Sequence, residues 1–232
     1  MGKAHIKRIA APKSWPIQRK TTKWVTKSTA GSHKLENSMP LGVILKEILN
    51  YATTTKEVKY ILNQKKVSVN GKVMKNHKFP VGIMDVLTAD KENYRIMLDK
   101  KGKLVTVSIN ATESKINPKK VINKTSIKGK RVQVNFSDGT NIISKENYQT
   151  GDTVVFSDNK PKEHLKFEKG ALIYILAGKK VGQIGAIKEI IQKKGLQLTR
   201  IIFTQGKESS ETLKKYTFVI GKNKPIVTLA NE

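Results

Sequence analysis

The chain has 232 residues, of which 38% are hydrophobic, enough for more than one small domain with a buried core. Its formal net charge is +27, so the free protein repels itself and a polyanionic partner is indicated. The lack of cysteine excludes disulfide bonds and cysteine-based zinc sites. The longest uncharged apolar run, residues 171–178, is shorter than the roughly 20 residues of a membrane helix, so no membrane partner is expected.

The positive charge is spread along the whole chain. Residues 1–40, 41–110, 111–170 and 171–232 each carry a net charge between +5 and +8. A basic tail on a neutral enzyme would instead concentrate the charge at one end. Forty of the 45 basic residues are lysine, for which a bias in genome composition is an alternative explanation. We favour binding to nucleic acid along the length of the protein.

Residues 1–40 are predicted to form a basic N-terminal extension, called the arm below. Pro12 and Pro16 interrupt any helix, and the apolar residues follow neither the strand period nor the helix period. We therefore expect the arm to be disordered on its own and to become ordered on RNA. Deletion of residues 1–34 is expected to leave the thermal unfolding of the remainder nearly unchanged.

The arm contains both tryptophans and the first group of candidate RNA contacts. Docking on the protein is favoured for Trp15, because nearby prolines stiffen a packed corner, whereas base stacking and docking are both open for Trp24. Basic residues recur too often for the apolar core of a signal peptide, so secretion is not indicated. The candidate contacts are Lys3, His5, Lys7, Arg8, Lys13, Arg19, Lys20, Lys23 and Lys27.

Two short helices are predicted after the arm. The first has Ser38 as its expected N-cap and a stripe of apolar residues at helical spacing, namely Leu41, Ile44, Leu45, Ile48 and Leu49. The second begins with a capping box formed by Thr54 and Glu57, followed by Val58, Ile61 and Leu62 on one face.

A lysine-rich surface is predicted on the second helix and on the hairpin that follows it. Asn70-Gly71 between β-branched residues is the strongest short signal for a two-residue hairpin turn. A solvated helix face and lysines that protect an edge strand are the alternative explanations. We favour a phosphate-binding surface, whose candidate residues are Lys56, Lys59, Lys65, Lys66, Lys72, Lys75, His77 and Lys78.

The remainder of the chain is predicted to be rich in β-strands. Strands are expected around Gly102, around Asp138-Gly139, and in the segments LTRIIFT, KYTFVIG and PIVTL, with joints at Pro118, Pro161 and Gly170. Glycines 178, 182 and 185 fit neither the Walker nor the dinucleotide spacing, so nucleotide binding is not indicated. The turn after residue 178 contributes the candidate RNA contacts Lys179, Lys180 and Arg200, with Lys193 and Lys194 expected nearby.

Two segments resemble known RNA-binding modules. TTKEVKYILNQKKVSVNGKV is similar to the alpha-L motif of two helices and a basic hairpin, although many such modules place a Gly-Asp pair where FPVGIMDVL separates the two residues. ALIYILAGKKVGQIGAIKEI resembles a KOW motif, which opens an SH3-like barrel, but ends in GAI where Gly-x-Val is usual.

The whole chain resembles the ribosomal protein S4e family, most specifically in HIKRIAAPKSWPI, FPVGIMDV, VNFSDGTN and FVIGKNKPIVTL. The resemblance implies a multi-domain α+β fold, mostly β, with the arm at 1–40, an alpha-L type domain at 41–108, a central β domain at 109–170 and a KOW barrel at 171–232. It implies a structural constituent of the small ribosomal subunit in the cytoplasm. The implied partners are ribosomal RNA and neighbouring ribosomal proteins, with no cofactor, metal or small-molecule substrate.

An enzyme and an assembly factor are the alternatives to a structural role. The four histidines are far apart in sequence, and Asp85 and Asp138 are better explained by turns than by acid–base chemistry. After the two RNA-binding modules only about 60 residues remain, too few for a typical catalytic domain, since the commonest domain size is about 100–150 residues. We therefore expect no enzyme activity, and a KOW-containing assembly or RNA-modifying factor is the alternative function.

Overall fold

The computed structural model describes residues 5–129, 131–144, 146–157, 160–192, 198–206 and 208–229. The chain divides into two compact units: Met1–Leu98 with Lys103–Lys115, and Asp99–Gly102 with Ile116–Ala230. The described residues form nineteen strands and a few short helices. The prediction of an α+β fold that is mostly β is confirmed.

The helices of the first unit are short. They comprise α1 (Leu41–Val43), which continues as a π-helical turn at Ile44–Ile48, α2 (Thr55–Asn63), α3 (Ala111–Ser114), and 3₁₀ turns at Arg8–Ala10 and Leu35–Asn37.

The predicted apolar stripe of the first helix is buried at its beginning. Leu41, Ile44 and Leu45 are fully buried, and the last two members of the stripe are half-buried. The N-cap prediction was wrong, because Pro40 occupies that position. Ser38 lies in a strand instead, and its hydroxyl donates a hydrogen bond of 2.8 Å to the Lys34 carbonyl. A proline at the N-cap restricts its own φ angle to the extended backbone that precedes the helix. Its side chain provides no acceptor for the first backbone N–H groups of the helix.

The strands of the first unit form three antiparallel groups. A two-stranded ribbon joins β1 (His5–Lys7) and β2 (Trp24–Thr26), and another joins β3 (Ser38–Pro40) and β6 (Pro80–Gly82). The third group is a five-stranded sheet in the order β5-β4-β7-β8-β9, formed by β4 (Val67–Val69), β5 (Lys72–Val73), β7 (Val86–Ala89), β8 (Glu92–Leu98) and β9 (Leu104–Ile109).

The predicted hairpin turn is confirmed between β4 and β5. The φ angles are 50° for Asn70 and 76° for Gly71, both in the left-handed region. Val69 pairs with Lys72 across this two-residue turn. Asparagine tolerates the left-handed conformation and glycine adopts it freely, which explains why this dipeptide specifies the turn.

The second unit begins with a five-stranded antiparallel sheet in the order β12-β11-β10-β13-β14. Its strands are β10 (Ile116–Ile127), β11 (Arg131–Phe136), β12 (Asn141–Ser144), β13 (Thr153–Ser157) and β14 (Lys160–Leu165).

Both prolines of this sheet lie inside strands, so the joints predicted at Pro118 and Pro161 were wrong. Pro118 lies inside β10. Strand β10 pairs with β13 from Ile116 to Lys120 and with β11 only from Val121 onward, so Pro118 lies in the part of β10 that is paired with β13 alone. Pro161 lies in the edge strand β14 next to a register irregularity, a position at which a missing N–H is tolerated.

The second sheet of this unit is also antiparallel, in the order β18-β17-β16-β15-β19. Its strands are β15 (Leu172–Ile175), β16 (Ile184–Ile191), β17 (Arg200–Gln205), β18 (Glu208–Leu213) and β19 (Thr217–Gly221).

Strands at the end of the chain were predicted only in part. The segments at β17 and β19 are confirmed, but PIVTL forms no strand, since Pro225 makes only an isolated bridge to Gly221. Instead, β18 supplies the edge of the sheet. Its sequence, ESSETL, lacks hydrophobic alternation because an exposed edge strand has little apolar surface to bury.

Strand β13 lies between the two hydrophobic clusters of the second unit. Val154 and Phe156 pack with Phe136 and Tyr148 in one cluster. Val155, which points to the opposite face, packs with the second-sheet residues in a cluster that includes Phe203. Both faces of β13 are therefore buried, which explains its continuous apolar sequence.

A buried lysine connects β10 to the end of the second sheet. Lys120 is only 8% exposed, and its ammonium donates hydrogen bonds of 3.1, 3.1 and 2.5 Å to the carbonyls of Lys214, Lys215 and Thr217. Burial, assisted by the positive charge of Lys214, lowers the pKa of Lys120 to about 8. These three carbonyls belong to the 3₁₀ turn Lys214–Tyr216 and the residue after it, so Lys120 holds the turn that precedes β19.

Candidate nucleic-acid interface

The predicted capping box fixes the start of α2. The backbone N–H of Glu57 donates to the Thr54 hydroxyl at 3.3 Å, and the Glu57 carboxylate accepts from the backbone N–H groups of Thr53 and Thr54. The bond from the Thr53 backbone, followed by the hydroxyls of Thr54 and Thr53, lowers the pKa of Glu57 to about 2. The Glu57 carboxylate is thus bound at the N-terminal end of α2 and fixes the residue at which the helix begins. The start of the helix in turn determines which of its faces carries the lysines.

The helix–hairpin surface consists of six lysines on α2, the turn after it, and the hairpin. All six are exposed: Lys56, Lys59, Lys65, Lys66, Lys72 and Lys75. Among the residues that the structure describes, none of the six takes part in an ion pair. Their charges are therefore directed to solvent.

His77 connects α2 with the segment that follows the hairpin. Its pKa is lowered by partial burial and then by the positive charges of Lys59 and Lys78, so both ammonium groups act on the imidazole. Its carbonyl accepts a hydrogen bond of 2.7 Å from the backbone N–H of Gly42. The predicted residues His77 and Lys78 are half-buried and lie at the margin of the helix–hairpin surface.

Asp85 holds the hairpin to its sheet. Its carboxylate accepts hydrogen bonds of 2.8 Å from the Asn70 side chain and from the backbone N–H of Gly82, and it pairs with His33 at 2.9 Å. The Asn70 side-chain oxygen accepts from the backbone N–H of Val86 at 2.9 Å. The interpretation of Asp85 as a turn residue is confirmed, and Asn70 has a second role that the turn signal alone did not predict.

The arm is folded against the rest of the first unit, where the backbone N–H of Leu104 donates a hydrogen bond of 2.7 Å to the Ser14 carbonyl, so the prediction that it is disordered on its own was wrong. Trp15 is 1% exposed, and its indole N–H donates a hydrogen bond of 2.7 Å to the Ser38 carbonyl. The docking predicted for Trp15 is confirmed. Local hydrophobic periodicity could not reveal this contact because the partner lies 23 positions further along the chain.

Two arginines of the arm are used inside the protein. Arg8 is 6% exposed and forms two hydrogen bonds with the Glu47 carboxylate, at 2.8 and 2.5 Å. Arg19 donates to the backbone carbonyls of Ile9, Ala11 and Pro12. These guanidinium groups stabilise the arm, so we do not retain either residue as a candidate phosphate contact.

The other basic residues of the arm have a different environment. Lys27 is half-buried, and Lys3 lies outside the described residues. The exposed members of the predicted set are His5, Lys7, Lys13, Lys20 and Lys23. These five residues remain available to a partner in solution.

A cavity of about 100 Å³ lies between the arm and the helices of the first unit. Its lining includes Trp24 from the arm, Lys46 from the π-helical turn, Thr55 from α2, and His77. Glu47 also lines it, but this carboxylate is bound to Arg8. Lys46 was not predicted as a functional residue, although the polar side of the first predicted helix was the signal that could have identified it.

The candidates of the second unit have carboxylate partners. Lys180 pairs with Glu208 at 3.3 Å and Arg200 pairs with Glu211 at 3.2 Å, both at the surface, whereas Lys179 is exposed. Exposed ion pairs are worth about 0–1 kcal/mol, so a phosphate could displace either carboxylate. Lys193 and Lys194 lie outside the described residues.

Asp138 is also explained by a turn. Its carboxylate accepts hydrogen bonds from the backbone N–H and the hydroxyl of Thr140, and it pairs with Lys119 at 2.6 Å. In the part of the chain that the structure describes, no cluster of three or more histidine, aspartate or glutamate residues could hold a metal ion. The helices described there are all too short or too polar to cross a membrane.

Comparisons with known proteins cover nearly the full chain. The family model described as ribosomal family S4e matches residues 90–162, and the RS4NT (NUC023) domain matches residues 1–36. Small ribosomal subunit protein eS4 of Methanosphaera stadtmanae is 40% identical over 98% of this chain and 96% of its own length. The eS4 protein of Methanocella arvoryzae is 39% identical over 96% of each chain.

A solved structure has a similar fold. The crystal structure of the 30S ribosomal protein S4e from Thermoplasma acidophilum is 32% identical, with a TM-score of 0.73. The matched region covers 82% of this chain and 99% of the crystallised one. At that coverage the similarity extends over both units.

Proposed function

Since the chain belongs to the ribosomal family S4e, we propose that it binds the RNA of the small ribosomal subunit through the helix–hairpin surface and the exposed lysines of the arm. The protein is a structural constituent of the small subunit and takes part in translation as a part of the ribosome, not as an enzyme.

One observation supports the RNA-binding surface above all others. The six lysines of the helix–hairpin surface are exposed, and no ion pair in the described part of the chain neutralises any of them. A free protein gains nothing from six uncompensated charges, which repel one another. Phosphates would remove that repulsion and release their condensed counterions, which is the main source of affinity in such interfaces.

The chemistry of lysine determines which features of the RNA the surface recognises. Lysine is a point charge without the bidentate geometry of arginine, so it positions a phosphate backbone without selecting base edges. The shape of the folded RNA then determines the site. If about eight phosphates are neutralised, the slope of log affinity against log salt lies near −6 for single strands or −7 for duplexes.

We also propose the finer domain division. Residues 41–108 have the two helices and the basic hairpin of an alpha-L type module, which supports that assignment. Residues 109–170 supply the first sheet of the second unit as a central β domain, and residues 171–232 supply the antiparallel sheet of a KOW-type barrel. The φ angles of 101° at Gly178 and 75° at Gly182 lie in the left-handed region that glycine adopts freely, which suits a tight loop between the strands β15 and β16.

The experiment compares two variants with equal changes in charge. In the first, the six lysines of the helix–hairpin surface become glutamine; in the control, six exposed lysines of the second unit do so, namely Lys124, Lys128, Lys160, Lys162, Lys166 and Lys169. Binding to transcribed small-subunit ribosomal RNA is measured across a salt series. We expect the first variant to flatten the slope by up to about 4 and the control to change it by less than about 1.

Equal slopes for the two variants would contradict the assignment of the surface, because net charge alone would then control binding. A wild-type slope shallower than about −2 would contradict extended phosphate contact altogether. The assembly-factor alternative is tested separately by quantitative mass spectrometry of small subunits before and after a high-salt wash. A structural constituent stays near one copy per subunit, whereas an assembly factor is found only in immature particles.

A further inference from the structure

Trp24 differs from the other tryptophan of the chain in its exposure. It is 49% exposed, whereas Trp15 is 1% exposed. The Lys23 ammonium lies 5.7 Å from the centroid of the Trp24 ring, and the His5 ring meets it edge-on with centroids 6.0 Å apart. A large aromatic surface is thus open to solvent with the Lys23 ammonium beside it, although burial of that surface would be favourable.

The environment next to Trp24 favours an anion. The cavity that Trp24 lines also contains Lys46 and His77, and the positive charge of Lys59 reaches His77. Glu47 also lines the cavity, but the charge of its carboxylate is neutralised by the two hydrogen bonds that Arg8 donates to it. The site therefore combines an exposed π-surface with a net positive rim, the two components that single-stranded nucleic acid requires.

We propose that Trp24 stacks on one unpaired base of the bound RNA, while Lys23 and Lys46 contact the phosphates that flank it. The proposal rests on the RNA-binding function given above and specifies the kind of nucleotide that this part of the surface takes. In an A-form duplex both faces of each base are covered by neighbouring bases, so only a base in a loop, bulge or single strand has a free face. Stacking does not depend on the identity of the base, because every base has a π-surface.

A second exposed aromatic residue provides a matched control. Tyr51 is 41% exposed, but its hydroxyl is hydrogen-bonded to the carboxylate of Glu92. A phosphate would be repelled by that carboxylate, so Tyr51 is not expected to stack on RNA. Both aromatic residues belong to the first unit, and their replacement by leucine removes a similar exposed ring.

The experiment uses the full chain and two RNA probes, a single-stranded (A)₈ oligoribonucleotide and a fully paired 16-base-pair duplex. Affinities are measured for wild type, Trp24→Leu, Trp24→Phe and Tyr51→Leu. We expect Trp24→Leu to weaken (A)₈ binding about tenfold, Trp24→Phe to weaken it by no more than about threefold, and Tyr51→Leu to have no effect. The duplex affinity and the salt slope should be unchanged, because no cation is removed.

Tryptophan fluorescence gives a second measurement that does not depend on affinity. Base stacking should quench the exposed Trp24 in wild type, whereas Trp24→Phe, which retains only the buried Trp15, should show no quenching on (A)₈ addition. This readout separates stacking from a loss of folding, which thermal melting of each variant also checks.

The outcomes distinguish this proposal from the function on which it rests. Unquenched wild-type fluorescence, with salt-dependent RNA binding intact, overturns stacking and leaves the lysine surface standing. Equal losses for Trp24→Leu and Tyr51→Leu also overturn it. If wild type binds neither (A)₈, the duplex nor small-subunit ribosomal RNA, both the stacking site and the proposed function are wrong.

Discussion

The arm and the helix–hairpin surface are both strongly basic, but they use their charge in opposite ways. In the arm, Arg8 and Arg19 turn inward and bond to Glu47 and to backbone carbonyls. On the helix–hairpin surface, all six lysines face solvent. Guanidinium groups offer several donors in a fixed plane and lose less hydration on burial, whereas ammonium groups are strongly hydrated.

The comparison shows that a count of positive charges does not identify a binding residue. Arg8 and Lys7 are neighbours in sequence, yet Arg8 is buried and Lys7 is exposed. What separates them is an acidic partner 39 positions away. The residue type and its distant partner together decide whether a basic side chain stabilises the fold or faces RNA.

Removal of the arm is the most severe way to test this difference. Deletion of residues 1–34 should abolish the cooperative unfolding of the first unit, because it removes Arg8 and the buried Trp15. Truncation of a buried tryptophan alone costs about 3–5 kcal/mol. Circular dichroism during thermal unfolding measures the effect, and an unchanged melting curve would restore the expectation that the arm is independent of the core.

A single substitution tests whether Arg8 is structural. Arg8→Met leaves Glu47 half-buried without a partner, and we expect the free energy of unfolding to fall by about 3–5 kcal/mol. Lys7→Met, the exposed control, should change it by less than about 0.5 kcal/mol. Urea denaturation measures both variants; similar small losses would mean that the arm needs no internal ion pair.

Lys120 extends the comparison to a lysine that is buried. Lys120→Met removes the donor for three carbonyls and should cost about 2 kcal/mol in urea denaturation, whereas the exposed Lys124→Met should be neutral. No loss for Lys120→Met would show that the three bonds add no net stability.

The depressed pKa of Lys120 also predicts a pH dependence. Between about pH 8 and 10.5 the unfolded chain binds a proton that the folded protein has released. The free energy of unfolding should therefore rise with pH across this window, and the rise should disappear in Lys120→Met. Denaturation at pH 8 and at pH 10 checks the sign.

The smallest expected effect concerns His77 at the edge of the helix–hairpin surface. Burial and the charges of Lys59 and Lys78 hold its pKa below the ordinary value of 6.5. Because the folded protein binds this proton more weakly than the unfolded chain, its stability falls slightly as pH decreases through 6.5. NMR titration of the imidazole measures the pKa directly, and a pKa above 6.5 in the free protein would contradict the basic environment.

Features with a local cause could be predicted from sequence. The capping box links Thr54 to Glu57 over three positions, and the hairpin turn depends on the backbone freedom of Asn70 and Gly71 themselves. The S4e resemblance, based on short motifs spread along the chain, is confirmed by the relatives. These signals do not require knowledge of any distant residue.

The docking of Trp15 was predicted, but the distant partners of buried side chains could not be predicted. The contacts of Arg8 with Glu47 and of Trp15 with Ser38 join positions that no periodic pattern connects. Edge strand β18 was not predicted because its side chains are mostly exposed and show no hydrophobic alternation. The exposure of Trp24 could not be predicted because it depends on the residues that surround it in the fold. The lysine surface was predicted as a set of residues, but only the fold shows which basic groups are already occupied.

The long separation between Arg8 and Glu47 has a consequence for how the chain is made. Arg8 is translated before its acidic partner Glu47, which is synthesised 39 positions later. At about 5–20 residues per second, the arm waits about 2–8 seconds before its buried ion pair can form. Arg8 is thus unable to complete its native ion pair early, and during that interval its guanidinium group is open to any nearby polyanion.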